Sequence, residues 1–303
     1  MFFGIASSAG WESVTPVEKG WSSDRKYRIR TRNGEDRLLR LADIDRYDAK
    51  AREFGIIERY SRLGFAMSMP LEFGVCEDRR SVYMLLSWVE GADLEAVLPG
   101  LSEAEQYRLG REAGGILRRI HGVPVAAEDL PSGTKRDRKL AQLAAYEASS
   151  VRVEGDEAAI RYVKDNIDCI WRQPPVCQHG DFHPGNLIWR PDGNLGVIDF
   201  NRWEVGDPYE EFYKLESFGR EVSVPYCVGQ IDAYFGDAAP GDFWAALAVY
   251  VAHAALFSIQ WAERFGPADV AGMVRRYRTA MADYDGFRRT VPKWYAAYRG
   301  LDG

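Results

Sequence analysis

Residues 179–189, HGDFHPGNLIW, place His179, Asp181, His183 and Asn186 within eight positions and then turn apolar. Thirteen residues after Asn186, Asp199 ends a second apolar run, VIDF. Asp181 and Asn186, five residues apart, fit one loop. A short hairpin turning at PDGN, residues 191–194, returns the chain so that Asp199 lies beside them. Two oxygen ligands and a third carboxylate then converge. Magnesium takes hard oxygen ligands, few of them from protein and the rest from phosphates and water, which suits Asn186 and Asp199. Asp181 is left to accept a proton from an attacking hydroxyl. Taken singly, each residue is equally explained as a turn cap, since HPGN and PDGN both favour local turns. The joint pattern, H-G-D-x-H-P-x-N followed by I-D-F between apolar strands, points to phosphoryl-transfer chemistry.

The elements that must position these residues are legible upstream. KYRIRTRNGEDRLLRLAD alternates on both sides of Asn33-Gly34, a strong hairpin signal. RYDAKAREFGIIERYSRLG then puts Ala49, Phe54, Ile57 and Tyr60 at helical spacing and ends near Gly64. PLEFGVCEDRRSVYMLLSWVEG predicts two more strands around a polar turn, so the first 90 residues read as hairpin, helix, hairpin. After EGADL, helical patterns dominate, apart from short strands around residues 186–198. Ser102 with Glu105 three residues on has the form of a capping box.

Composition narrows the function classes. With 303 residues and 46% apolar content, the chain can build one large domain or two small ones. A net charge of −6 argues against nucleic acid as a general partner, because phosphate backbones need a basic face. Cys76, Cys169, Cys177 and Cys227 form no C-x-x-C pair and only four histidines exist, which disfavours structural zinc and suits a reducing compartment. MFFGIASSAGWESV lacks a basic start and a long apolar core, so no signal peptide is expected and a cytoplasmic location is. FWAALAVYVAHAALFSIQW has about the length of a membrane span. His253, Ser258 and Gln260 within it favour a buried core helix, and no membrane partner is expected.

An Asp and an Asn five apart with a later metal-binding Asp is also the spacing of the protein-kinase catalytic loop. HGDFHPGNLIW with GVIDF resembles the signature of the aminoglycoside phosphotransferase family, small-molecule kinases that share the protein-kinase fold. YMLLSWVEGADL resembles that family's hinge, GGILRRIHGV its helix ending in Leu-x-x-Ile/Leu-His, and GDPYEEF the segment after its metal-binding Asp. The resemblance covers roughly residues 17–220. It implies an α+β, two-lobed, protein-kinase-like fold. A small β-rich N-terminal lobe would span residues 1–86, a hinge 87–91, and a larger, mostly helical catalytic lobe 92–303.

The resemblance also implies roles. Asp181 would be the catalytic base, Asn186 and Asp199 would hold Mg²⁺, and His179 and His183 would support the loop. Arg40 stands where a phosphate-gripping lysine is expected, with Glu53, thirteen residues later, as its partner. Arginine grips phosphate bidentately but is not geometrically interchangeable with lysine. The loop KGWSSDRKY, residues 19–27, is not G-x-G-x-x-G. It offers Gly20, Ser22 and Ser23 to the phosphates of ATP or GTP, and a turn between two strands explains it equally well. Adenine would bond the backbone at Ser87 and Val89, with Leu86 behind it.

Residues 199–221 hold seven acids and three bases, which suits a polar, cationic, sugar-like acceptor. Trp203, Glu204, Glu210 and Glu211 are the candidates to touch it. Asp207 reads as the cap of a G-D-P turn, and acids at 210 and 211 are favoured at a helix start in any case. Trp203, Trp261 and Trp294 read as core or rim aromatics rather than stacking platforms. The expected activity is Mg-dependent transfer of a nucleotide γ-phosphoryl group to a small-molecule hydroxyl. The acceptor would be an aminoglycoside or related antibiotic, which would make the protein a resistance kinase. A metabolite kinase for a choline-, homoserine- or sugar-like acceptor is the alternative. A protein kinase is opposed by the missing A-P-E, by DFN in place of D-F-G and by the lack of room for an activation loop. A nucleotide-binding pseudokinase is opposed by the presence of Asp181, Asn186 and Asp199 together.

Overall fold

The computed structural model describes residues 4–18 and 23–301. Strands and helices follow one another along the chain as β1 (Trp11–Pro16), β2 (Arg25–Thr31), β3 (Asp36–Asp43), α1 (Tyr47–Tyr60), β4 (Ala66–Met67), β5 (Pro70–Cys76), β6 (Ser81–Ser87) and β7 (Ala92–Asp93). There follow α2 (Leu94–Val97), α3 (Glu103–His121), α4 (Arg136–Glu147), α5 (Glu157–Asn166), β8 (Val176–Gln178), β9 (Leu187–Trp189), β10 (Leu195–Val197) and β11 (Glu204–Gly206). The chain ends with α6 (Val224–Phe235), α7 (Gly241–Ala262), α8 (Pro267–Asp283) and α9 (Lys293–Tyr298). The α+β expectation holds.

The chain divides into two compact units. The first runs to Asp93 and includes Asn186–Trp203; the second holds Leu94–Gly185 and the residues from Glu204 onward. This differs from a boundary at residues 87–91 in two ways. The connector stays with the first unit, because β7 pairs with β9, Ala92 opposite Trp189. The 186–203 hairpin also belongs there, because β10 pairs in parallel with β4.

In the first unit an antiparallel sheet has the order β1-β2-β3-β6-β5, and a smaller one has the order β4-β10-β9-β7. The β2–β3 hairpin closes as the Asn33-Gly34 signal predicts. Thr31 donates its amide to Glu35 O, and Gly34 sits at φ +85°, a region glycine enters without strain. Alternation then sorts the side chains. Ile29, Leu39, Leu41, Tyr83 and Leu85 form a core on one face. Lys26 and Arg40, opposite each other in register, point to the other. β1 precedes β2 and extends the sheet by pairing with it.

Helix α1 buries Ile57 and Tyr60 as its apolar spacing predicts, but its stripe also takes in charged residues. Its buried stripe is Lys50, Glu53, Ile56, Ile57 and Tyr60, while Ala49 is exposed. Two charged residues face inward because they find buried partners there, which spacing of apolar residues cannot reveal.

In the second unit α3 begins with the expected capping box: Ser102 accepts from the Glu105 amide and Glu105 reaches back. Helices α3 and α6 approach closely through glycine. A Cβ at Gly110 would sit 2.1 Å from Tyr226 O, and one at Gly114 would sit 2.3 Å from Gln230 O. Helix α7 is long and apolar enough to cross a membrane, but 72% of its apolar window is buried, which marks a core helix. Its His253 is buried as well, and burial followed by nearby Lys139 holds its pKa well below the ordinary value.

Candidate active site

Each unit carries one cluster of chemically capable side chains. In the first, β10 runs antiparallel to β9, Leu195 opposite Trp189 and Val197 opposite Leu187. Ile198 donates its amide to Asn186 O at 3.1 Å, so the hairpin closes with Asn186 and Asp199 at the same end. Asp199 sits at φ +62°, a strained conformation for a non-glycine residue and one that recurs at functional sites. Its Oδ1 is buried and makes no hydrogen bond. Arg40 Nη1 stands 3.7 Å from that oxygen, and Lys26 Nζ stands 3.6 Å from Oδ2. Both distances exceed a hydrogen bond.

An unsatisfied carboxylate oxygen held in a strained turn beside an asparagine fits a divalent cation that takes few protein oxygens. Among the described residues no group of three His, Cys, Asp or Glu side chains gathers into a complete metal cage. The donor set is that of a metal sharing phosphate and water ligands.

Arg40 is 3% exposed and lies in a buried ionic cluster. It donates from Nε and Nη2 to Asp24 Oδ2, at 3.0 and 2.5 Å, and from Nη1 to Glu53 Oε1 at 2.8 Å. Lys50 Nζ bonds the same two acids, Asp24 Oδ2 at 2.6 Å and Glu53 Oε2 at 2.8 Å. Burial works against the charge on Arg40, but Glu53, Asp24 and Asp199 hold its pKa above the ordinary value. Burial likewise pushes Asp24 up, and Arg40 and Lys50 outweigh it to keep the carboxyl below its usual range. The pairing of Arg40 with Glu53 is therefore present. Asp24 and Lys50 were missed by sequence reasoning.

The remaining nucleotide-side residues are placed as follows. Gly20 and Ser22 lie outside the described residues. Ser23 is exposed, and its Oγ accepts from Arg46 Nη1 at 2.9 Å. The Ser87 amide donates to Met69 O at 2.8 Å, and Ser87 Oγ accepts the Met69 amide at 2.8 Å. Val89 packs over Gly196, where a Cβ would come within 2.5 Å of Val89 Cγ1.

In the second unit the loop after β8 is held by Glu211, a buried acid just beyond β11. Glu211 Oε2 accepts the His179 amide at 2.9 Å, and Oε1 accepts the Gly180 amide at 2.7 Å. His121, the last residue of α3, places Nε2 3.4 Å from Glu211 Oε2, so α3 anchors the acid that anchors the loop. His179 Nδ1 accepts the Asp181 amide at 3.2 Å, and His183 Nδ1 accepts the Gly185 amide at 3.1 Å. Both rings therefore bond loop backbone.

Asp181 is partly exposed, with Lys214 Nζ 2.5 Å from Oδ1 and His183 Nε2 3.6 Å from the same oxygen. Lys214 is buried between Tyr213 and Phe218. No pattern in GDPYEEFYKL marks it.

The acidic segment faces inward more than expected. Glu210 is buried and pairs with Lys139. Burial pushes its carboxyl up, while Lys139 and Lys135 outweigh that and hold it below the usual range. Glu204 pairs with Lys135 at 2.5 Å. Asp207 accepts amides from Trp171 and Tyr209 and the hydroxyl of Tyr250, as a turn-capping acid should; its burial raises its pKa. Trp294 is buried and donates to Glu216 Oε2 at 2.8 Å, whereas Trp203 and Trp261 are half-buried.

Comparison with known proteins places this geometry. A family model described as the phosphotransferase enzyme family matches residues 13–244. By sequence, the chain matches no curated protein. Among solved structures, the GDP complex of wild-type aminoglycoside 2'-phosphotransferase-IIIa superposes with a TM-score of 0.68 at 16% identity, covering 91% of this chain and 95% of that one. Macrolide 2'-phosphotransferase type I gives 0.65 at 19%, covering 88% and 91%. The amicoumacin kinase hAmiN, in complex with AMP-PNP, Ca²⁺ and Ami, gives 0.66 at 12%, covering 92% and 90%. At these identities the likeness is one of fold.

Proposed function

The chain belongs to the phosphotransferase enzyme family, and from that premise we propose that it transfers the γ-phosphoryl group of ATP or GTP to a hydroxyl of a small molecule. The observation that carries the reading is the state of Asp199: a strained backbone, a buried Oδ1 without a hydrogen bond, and two cations just beyond bonding distance. Such a site suits phosphates and a shared divalent metal. Asn186 and Asp199 would hold Mg²⁺, which supplies charge neutralisation on the phosphates when bound.

This chain's residues do the rest. Ser23 and the loop before β2 would cover the phosphates, and the connector around Val89 would border the base. Asp181 would orient the acceptor hydroxyl and take its proton. Glu211 and His179 hold the Asp181 loop in shape beforehand, so little reorganisation is needed at the moment of reaction. A cytoplasmic setting fits the four unpaired cysteines and the nucleotide requirement.

For the acceptor, an aminoglycoside or related antibiotic is supported by the fold relatives, among them aminoglycoside, macrolide and amicoumacin kinases. Trp203 and Glu204 are the side chains of the acidic segment that would meet it. A metabolite kinase is the second reading, favoured by one observation. Glu210 and Glu211 are buried and bonded internally, which removes two acids from any cation-binding surface.

The test is a nucleotide-consumption screen with Mg²⁺, running ATP and GTP separately against aminoglycosides, macrolides and small hydroxylated metabolites. It is paired with a resistance assay in a sensitive bacterium. Acceptor-dependent turnover that disappears in Asp181→Ala is expected. No turnover with any acceptor sinks the proposal.

A further inference from the structure

We propose that Lys214 is a positioning residue for the transfer: its ammonium sets the direction in which the Asp181 carboxylate meets the acceptor hydroxyl. This assignment rests on the phosphotransferase reading above. It starts from a buried charge. Lys214 is buried, with Nζ 5.0 Å from the centre of the Tyr213 ring and 5.2 Å from that of Phe218. Lysine is almost never fully buried unless paired, and this one places Nζ 2.5 Å from Asp181 Oδ1. Taking an ammonium out of water is costly, and a well-packed apolar side chain in its place is often as stable or more so. Asp181 itself is partly exposed, so water reaches its charge with or without the lysine. Folding stability therefore does not call for Lys214, whereas a fixed carboxylate does.

The surroundings hold the pair in one geometry. Lys214 leads into a π-helical turn, Leu215–Gly219, in which the Arg220 amide reaches back to Leu215 O at 2.7 Å. Such turns are rare and concentrate at functional sites. This one carries Phe218, whose ring stacks on His183 at 4.9 Å and lies 4.6 Å from the Arg276 guanidinium. His183 accepts the Gly185 amide at Nδ1 and places Nε2 3.6 Å from Asp181 Oδ1.

Lys214 and His183 thus approach the same carboxylate oxygen, and Phe218 packs against both. Holding Oδ1 from two sides fixes the plane of the carboxylate, and with it the direction of Oδ2. Glu211 fixes the loop's backbone at 179 and 180, and Lys214 fixes its side chain at 181. A reacting group misplaced by ~1 Å can cost about 10²-fold in rate, so the second restraint matters as much as the first.

The experiment measures steady-state turnover of MgATP and of MgGTP by the full chain, alongside melting temperatures. The acceptors are water alone, kanamycin, and each acceptor that the screen above returns. Lys214→Met is expected to lower kcat about 30-fold, with nucleotide KM within about threefold of wild type and Tm near the wild-type value. Lys214→Arg keeps the charge and should recover part of the lost kcat. In an Asp181→Asn background, Lys214→Met should lower kcat by no more than about twofold further, because a residue that acts through Asp181 then has nothing left to position. The assignment is overturned if Lys214→Met keeps kcat within about threefold of wild type, or if it costs as much in the Asp181→Asn background as alone. It is also overturned if kcat falls only together with Tm, which would make Lys214 a structural residue. Wild type that turns over neither nucleotide with any of these acceptors overturns the phosphotransferase reading itself. That outcome is distinct, since it precedes any comparison among variants.

Discussion

The first unit's ionic cluster and the second unit's loop after β8 both depend on buried glutamates, but use them differently. Glu53 faces two cations, Arg40 and Lys50, which it shares with Asp24. Glu211 faces backbone: two amides of the loop end on its two oxygens, with His121 behind. The first arrangement joins side chains from a strand and a helix, with Lys26 and Arg46 at its rim. The second fixes main-chain shape and leaves one carboxylate, Asp181, beside a buried lysine. On the proposed reading the first would serve as a rigid charged floor for phosphates, and the second as a loop whose base does not wander.

That comparison can be broken at several points. Asp181→Asn should lower kcat by about 10³-fold while nucleotide affinity stays within a few-fold, because only the proton acceptor is removed. Steady-state transfer assays check this, and activity within tenfold of wild type would remove Asp181 from the role. Glu53→Met should destabilise the first unit by about 3–5 kcal/mol, since two buried cations lose a partner. Chemical denaturation of the variant measures it, and a loss under ~1 kcal/mol would contradict a buried ionic cluster.

Glu211→Ala should cost about 2–3 kcal/mol by stranding two amides. Unlike Glu53→Met, it should accelerate hydrogen exchange at residues 179–181; unchanged exchange there would contradict its anchoring role. A smaller effect concerns Glu216, whose carboxyl is pushed above its ordinary value of 4.5, first by burial and further by Asp283, with Trp294 opposing. A raised folded-state pKa means the folded chain keeps a proton that the unfolded chain has released. Stability should therefore fall as pH rises above the ordinary carboxylate range. Glu216→Gln removes that dependence, so its Tm advantage over wild type should grow between about pH 5 and about pH 9. A gap that shrinks with pH would refute the sign.

Much of this was readable before any coordinates. The β2–β3 hairpin followed from Asn33-Gly34, the α3 start from Ser102 and Glu105, and the core character of α7 from its internal polar residues. The cross-strand pairing of residues 26 and 40 was within reach as well, since closing the hairpin at Thr31 and Glu35 sets it by counting alone. Other features were not readable. Apolar spacing in α1 placed Ile57 and Tyr60 on the buried stripe, as they are, but could not show that Lys50 and Glu53 share it while Ala49 is exposed. The acids of 204–211 looked like a ligand surface because sequence shows charge and not direction.

The sequence by itself determined the chemistry: which residue types stand at 181, 186 and 199, at what spacing, and on which local turns and strands. These depend on contacts a few residues long, where turn chemistry and strand alternation act. Only the tertiary structure decided which charges are engaged. Asp24 meets Lys50 across 26 positions, Glu211 meets Gly180 across 31, and Lys214 meets Asp181. Whether a charge binds a neighbour or stays available for a ligand depends on burial and on partners brought from distant parts of the chain, and no local pattern encodes either.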